Sequence, residues 1–303
     1  MRTNIVFIFI LLLLCGVHAK AHTRLNPDFH HFVSMDGALG YSSLLNNSDS
    51  VAAGAGPSLQ VGVGYRLLYN DFLFATGAEF YYLYNQYSMS GAKLDLKMWD
   101  TEADPFVYHV DATAGKDRVH SVSINIPVLF GAEYKRFYFL AGPKISLNVW
   151  NQMYAQANMV TTAEYGKYID IFENMPNHML GKYDIESEKC RANWSLDVLA
   201  HFEIGARLGA VSFETGADVE KPKHRIYLAV YADYGLLNLN RATAEGNRLG
   251  YEQEAGKQLQ LYLTPALMSN ELSGVRVNQL SVGIKTTVLL ELSTPKKCVT
   301  CEY

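Results

Sequence analysis

Between Ser121 and Val149 the chain alternates strictly. Val122, Ile124, Ile126, Val128, Phe130, Ala132 and Tyr134 are apolar or aromatic, while Ser121, Ser123, Asn125, Pro127, Leu129, Gly131 and Glu133 between them are mostly small or polar. A side-chain period of two marks a strand with one apolar and one polar face. After Lys135-Arg136 the parity flips to Phe137, Phe139, Ala141, Ile145, Leu147 and Val149. A two-residue turn pairing Tyr134 with Phe137 demands that flip, because it merges the two apolar faces into one.

The same pattern predicts six further strands. They fall at about 31–45, 58–67, 72–87, 194–208, 225–238 and 279–292. A tight turn at Asn70-Asp71 joins the second and third, since Asn and Asp tolerate positive φ. Polar connections are expected at 46–56, 89–119, 151–193 and 239–277, with a middling one at 209–224. The count is eight strands.

A soluble sandwich would also alternate, because one face of each sheet is buried. Three features favour a membrane barrel. The polar faces carry Gly, Ser and Ala, which suit a narrow interior. Tyr65, Phe72, Tyr134 and Phe137 lie beside the short turns, and Tyr41, Tyr82, Tyr84, Trp194 and Tyr234 lie toward the long connections. Aromatic girdles of this kind belong at the two interfaces of a bilayer, and an even strand number with short turns at one end fits as well. The expected fold is therefore all-β: an eight-stranded antiparallel up-and-down transmembrane β-barrel with four long outward loops.

Composition changes the picture only at the ends. Arg2, the apolar run Ile5–Leu14 and Ala19-Lys20-Ala21 have the form of an export signal over residues 1–21. Its loss removes Arg2 and Lys20 and takes the formal charge from −4 to −6. The barrel domain is expected over 22–294, followed by a periplasmic tail at 295–303. Cys15 would leave with the signal, so Cys190, Cys298 and Cys301 remain, which is no dense disulfide framework. No basic run points to nucleic acid.

Ser123–Gly131, reading SINIPVLFG, and Phe137–Pro143, reading FYFLAGP, resemble the "IP-LL … AGP" hairpin of PorT-like outer-membrane β-barrel proteins of Bacteroidota. Tyr231–Asn238, reading YADYGLLN, is similar to the end of that family's penultimate strand. The resemblance covers nearly the whole mature chain. It implies an OmpA-like eight-stranded barrel in a Gram-negative cell, without a peptidoglycan-binding domain. Some relatives serve a secretion system, a role the resemblance does not carry over.

Candidate chemistry is sparse. His201, Glu203 and Asp197 share a face, and a His beside carboxylates can act as a general base. No serine is placed beside them with access to substrate, so a structural network is the expected role. The Cys298–Cys301 pair lacks the context of a redox or zinc site. Adjacent His30 and His31 point to opposite faces and cannot chelate together. No catalytic, cofactor or metal residue is expected. Instead, parity and height put Glu79, Lys144, His201 and Lys285 in roughly one interior layer, with Glu79 opposite Gly62, and Glu203, on the same face as His201, completes the expected interior network.

The expected function is non-enzymatic: surface binding or assembly through the outward loops, where Tyr154, Tyr165, Tyr168, Phe172, Met175 and Met179 lie. The alternative is an accessory of a secretion system, and third a barrel hydrolase. Expected partners are outer-membrane lipid and other envelope or secretion proteins, reached through 89–119, 151–193 and 239–277. The expected location is the outer membrane, with periplasmic termini.

Overall fold

Two tight turns set the architecture. Asn70 and Lys135 take left-handed φ of 53° and 58°, and each turn launches a long antiparallel ladder. Tyr69 pairs with Phe72, and Tyr134 with Phe137. The computed structural model describes residues 29–48, 51–89, 91–100, 103–166, 171–172, 180–191, 196–211, 224–240, 246–253, 259–272 and 274–292. The export signal, Cys298, Cys301 and the 295–303 tail lie outside these residues, as does most of 209–224.

The strands are β1 (Phe29–Asn46), β2 (Val51–Ala53), β3 (Ala55–Tyr69), β4 (Phe72–Met89), β5 (Ala92–Trp99), β6 (Pro105–Tyr134) and β7 (Phe137–Tyr165). They continue with β8 (Ile171–Phe172), β9 (Gly181–Glu186), β10 (Leu196–Val211), β11 (His224–Gly235), β12 (Leu249–Glu252), β13 (Gln260–Leu263) and β14 (Val277–Glu291). All fourteen pair antiparallel. The path of the main sheet is β2-β4-β3-β1-β14-β11-β10-β7-β6-β5, with β8 and β9 branching from β7 and a separate β12–β13 hairpin.

This corrects the expected fold. A plain eight-stranded barrel with four long loops is not what the chain forms. The main sheet has twelve strands, and as a whole it does not close: its path runs from a free β2 to a free β5. Within it, β4 also pairs with β6, so that β1, β3, β4, β6, β7, β10, β11 and β14 follow one another in a cycle of pairings. The segments read as outward loops are largely strand. Residues 89–119 hold β5 and the first half of β6, and 151–193 hold the second half of β7, β8 and β9. In 239–277 lie β12, β13 and 3₁₀ turns at Ala266–Met268 and Asn270–Leu272. A function resting on integral-barrel architecture and loop-borne surface binding, secretion or hydrolysis loses its basis with that correction.

The cyclic part is filled. Near the tight turns its inner side holds an apolar cluster that includes Phe32, Leu73, Leu129, Leu140, Tyr227 and Leu289. At the other end, Leu44, Tyr87, Val119, Met153 and Val277 pack with Ala266, Leu267 and Leu272 of the 3₁₀ turns. Beyond that cap, β5, β9 and the far halves of β6 and β7 continue as a projecting sheet. It shares its own core with the β12–β13 hairpin, including Leu96, Tyr108, Val110, Met159, Leu249 and Leu263.

Candidate functional site

Two surfaces of the cyclic part carry its chemistry, an outer one and an inner one. On β6 the outward residues run Tyr134, Ala132, Phe130, Val128, Ile126, Ile124 and Val122, and then switch to His120, Arg118 and Lys116. Large apolar side chains stand exposed on the other strands too: Leu39 at 68 %, Val63 at 60 %, Val230 at 59 % and Ile284 at 58 %. Contiguous exposed apolar patches on water-soluble monomers rarely exceed a few hundred Å². From Val122 to Tyr134 the girdle measures about 40 Å along the strand. A strand of that length tilted at about 40° has a height of about 30 Å. No helix among the described residues is long and apolar enough to cross a membrane.

The inner surface is the reverse, and it gathers charge between the two apolar clusters. Glu79 on β4 lies opposite Gly62 on β3. A Cβ at Gly62 would approach the Glu79 Cγ to 3.0 Å. Glycine thus leaves the space through which the carboxylate turns inward. Glu79 meets the Lys144 ammonium at 2.9 Å and that of Lys285 at 3.3 Å. Lys285 also lies 3.1 Å from Glu203 and 3.7 Å from Asp36. His201 presents Nδ1 to Asp233 at 2.5 Å and Nε2 to Glu203 at 3.2 Å. Lys144 reaches Asp233 at 3.5 Å, and Arg66 reaches Glu203 at 3.9 Å. The Tyr138 hydroxyl donates to Glu203 Oε1, the oxygen that Arg66 also faces, at 2.5 Å.

The five residues expected in an interior network, Glu79, Lys144, His201, Glu203 and Lys285, meet here. Sequence reasoning missed Asp36, Arg66 and Asp233. Alternation puts Asp36 and Asp233 on the polar faces of their strands, and the structure adds the registers: Asp36 pairs with the same Gly62 across the β1–β3 ladder, and Asp233 lies directly opposite His201 on β11. Asp197 does not join. Its Oδ1 accepts from the backbone N–H of Val198 at 2.7 Å and of Leu237 at 3.1 Å, which pins the end of β11.

The balance of the network is four carboxylates against three permanent cations and one histidine. Buried charges persist only when paired in this way. Both ring nitrogens of His201 face carboxylates, so none is directed at a hydroxyl that it could activate. Elsewhere, His30 meets Glu291 at 2.6 Å and His31 meets the Tyr65 hydroxyl at 2.5 Å. The described residues contain no cluster of three or more His, Cys, Asp or Glu able to hold a metal ion. Cys190 is a free thiol at the isolated bridge to Met153.

A second buried pair fastens the projecting sheet to the cap. Asp117 accepts from Arg248 at 3.1 Å and from the Ala266 N–H at 2.5 Å. Burial raises the Asp117 pKa, against the opposing pull of Arg248 and the Ala266 N–H. On the open face of the sheet a groove is lined by Lys93, Asp95, His109, Asp111, Thr113 and Thr162. There His109 bridges Asp95 at 2.7 Å and Glu164 at 3.2 Å.

No protein-family model matches the chain. No curated protein matches it either.

Proposed function

We propose that the protein is a non-catalytic component of the outer membrane. Lipid hydrocarbon covers its apolar girdle, the charge network is its internal strut, and the projecting sheet is the part offered to other envelope proteins. One observation carries this reading: the sheet is inside-out, with exposed Val, Ile, Leu and Phe around paired, buried charges. Water on the outer face would expose that apolar area at about 25 cal/mol per Å². Lipid removes the cost. The first and last described strands, β1 and β14, begin and end beside the tight turns, so the turn side is assigned to the periplasm. The resemblance of the β6–β7 hairpin to PorT-like outer-membrane proteins agrees with this location.

The test uses native tryptophans. Trp150 lies on the outer face of β7 at the girdle's upper rim, paired with Val122, and Trp99 closes β5 at the far tip. In vesicles containing bromine-labelled lipid, a variant keeping only Trp150 should be quenched, and one keeping only Trp99 should not. A mature chain that stays monomeric in buffer without detergent, with Trp150 unquenched, would overturn the reading.

A further inference from the structure

Where the apolar girdle stops, the outer face turns basic and aromatic at once, on three adjacent strands. Directly beyond Val122 on β6 come His120 and Arg118. Tyr84 of β4 pairs with His120, and Tyr154 of β7 pairs with Arg118. The Tyr82 hydroxyl and His120 Nδ1 share a hydrogen bond of 2.9 Å. The His120 ring lies 5.0 Å from that of Tyr84 and stacks on Tyr154, centroids 6.3 Å apart and 10° from parallel. Arg118 donates to the Tyr154 hydroxyl at 3.2 Å and holds its guanidinium 5.8 Å from the ring centre. From the short segment after β9, Lys189 brings its ammonium 6.0 Å from the same ring. Glu186 also acts on Arg118, more weakly than Tyr154 and Tyr84.

We propose that Arg118, Lys189, Tyr154, Tyr82 and His120 bind the phosphate of an anionic lipid headgroup in the leaflet bordering the projecting sheet. The proposal rests on the lipid reading above and adds a specificity to it. Three physical reasons combine. The patch sits at the height where hydrocarbon gives way to headgroups, and Tyr belongs there with its ring in the apolar zone and its hydroxyl in the polar one. Two cations stand within 6.0 Å of the centre of one tyrosine ring, so an anion beside that ring is attracted by both. The Tyr154 ring restricts the arginine plane, and a guanidinium held in a fixed plane suits a phosphate, which it can meet through two parallel N–H bonds. The favoured ligand is a phosphomonoester, because it carries more charge than the phosphodiester of a zwitterionic lipid and offers three oxygens to the patch.

The experiment reads lipid retention by native mass spectrometry on the full mature chain, released from nanodiscs containing equal parts phosphatidic acid and phosphatidylcholine. Phosphatidic acid should be retained in preference. Arg118→Gln and Lys189→Gln should each reduce that preference about fivefold, the worth of one cation at an anionic surface. Lys116→Gln, two residues further along the same face, should leave it unchanged. Equal retention of the two lipids by the unaltered chain overturns the proposal without recourse to any variant. Loss of retained lipid on adding millimolar inorganic phosphate overturns the lipid source in favour of a free-phosphate site. Failure of the chain to take up either lipid would instead overturn the membrane reading, and the proposal with it.

Discussion

Glu79 and Lys144 form the shortest lysine–carboxylate pair of the interior, and each has a second partner: Lys144 keeps Asp233, and Glu79 keeps Lys285. Removing one member of a buried pair typically costs about 3–5 kcal/mol, because the other charge is left without its counter-ion. The second partners put Glu79→Ala and Lys144→Ala at the lower end of that range. The double variant should lose less than the sum of the two. Reversible urea unfolding in lipid, read as a double-mutant cycle, measures the coupling, and strictly additive losses would refute it. These partners were legible in the sequence because a two-residue turn fixes register arithmetically: Gly62 and Glu79 must face each other once Tyr69 pairs with Phe72. Asp36 and Asp233 were harder to place, since their strands are joined by no tight turn that sets such a sum.

At the tip, His109 gives a prediction that depends on pH. The hydrogen bond to Asp95 raises its pKa above the ordinary 6.5, burial opposes this, and Glu164 adds to the rise. A histidine whose pKa is higher folded than unfolded stabilises below about pH 6.5, and that contribution is lost as pH rises through the folded value. Hydrogen-exchange protection of β5, corrected for intrinsic rates, should therefore fall as pH rises above that range. Asp95→Asn should flatten the dependence. A pH-independent protection in the unaltered chain would show that the bridge does not hold β5.

At the scale of the strand, two irregularities explain what the pattern concealed. Between Thr113 and Lys116 the β6–β7 register slips, so that Ala114 and Gly115 stand against Ala157 alone. A bulge of this kind adds one residue and exchanges the faces. Below it the buried residues of β6 are odd-numbered, such as Asp117 and Val119; above it they are even, such as Tyr108, Val110 and Ala112. A second slip at Val122/Ser123 does the same to β7 around Val149. Alternation read with a fixed parity stops at each slip. Beyond the girdle the outward residues are also charged, so these halves read as polar loops. Deleting Ala114 would turn Tyr108, Val110 and Ala112 outward and empty the core shared with Leu249 and Leu263. The projecting sheet should then lose its exchange protection while β1, β3 and β14 of the cyclic part keep theirs. Unchanged protection of β5 and β6 would show that the slip does not set the face.

Taken as one object, the molecule reverses the usual partition of side chains, and this too was legible: the girdle on β6 and β7 and the small residues facing inward are what the sequence shows first. The number of strands was not legible, because β2, β8, β12 and β13 are too short to display a period. One feature of the whole bears on mechanics. β6 and β7 run 30 and 29 residues without interruption, from the turn at Lys135-Arg136 through the girdle to the tip, roughly 100 Å of chain at strand rise. Over most of that length the two are bonded to each other, and within the girdle also to β4 and β10. A pull on the tip directed along the strands would load many ladder bonds side by side in shear, whereas a pull across them would open bonds singly. The hairpin is therefore a stiff spar rooted in the girdle, able to carry tension from whatever grips its end down to the turn on the far side.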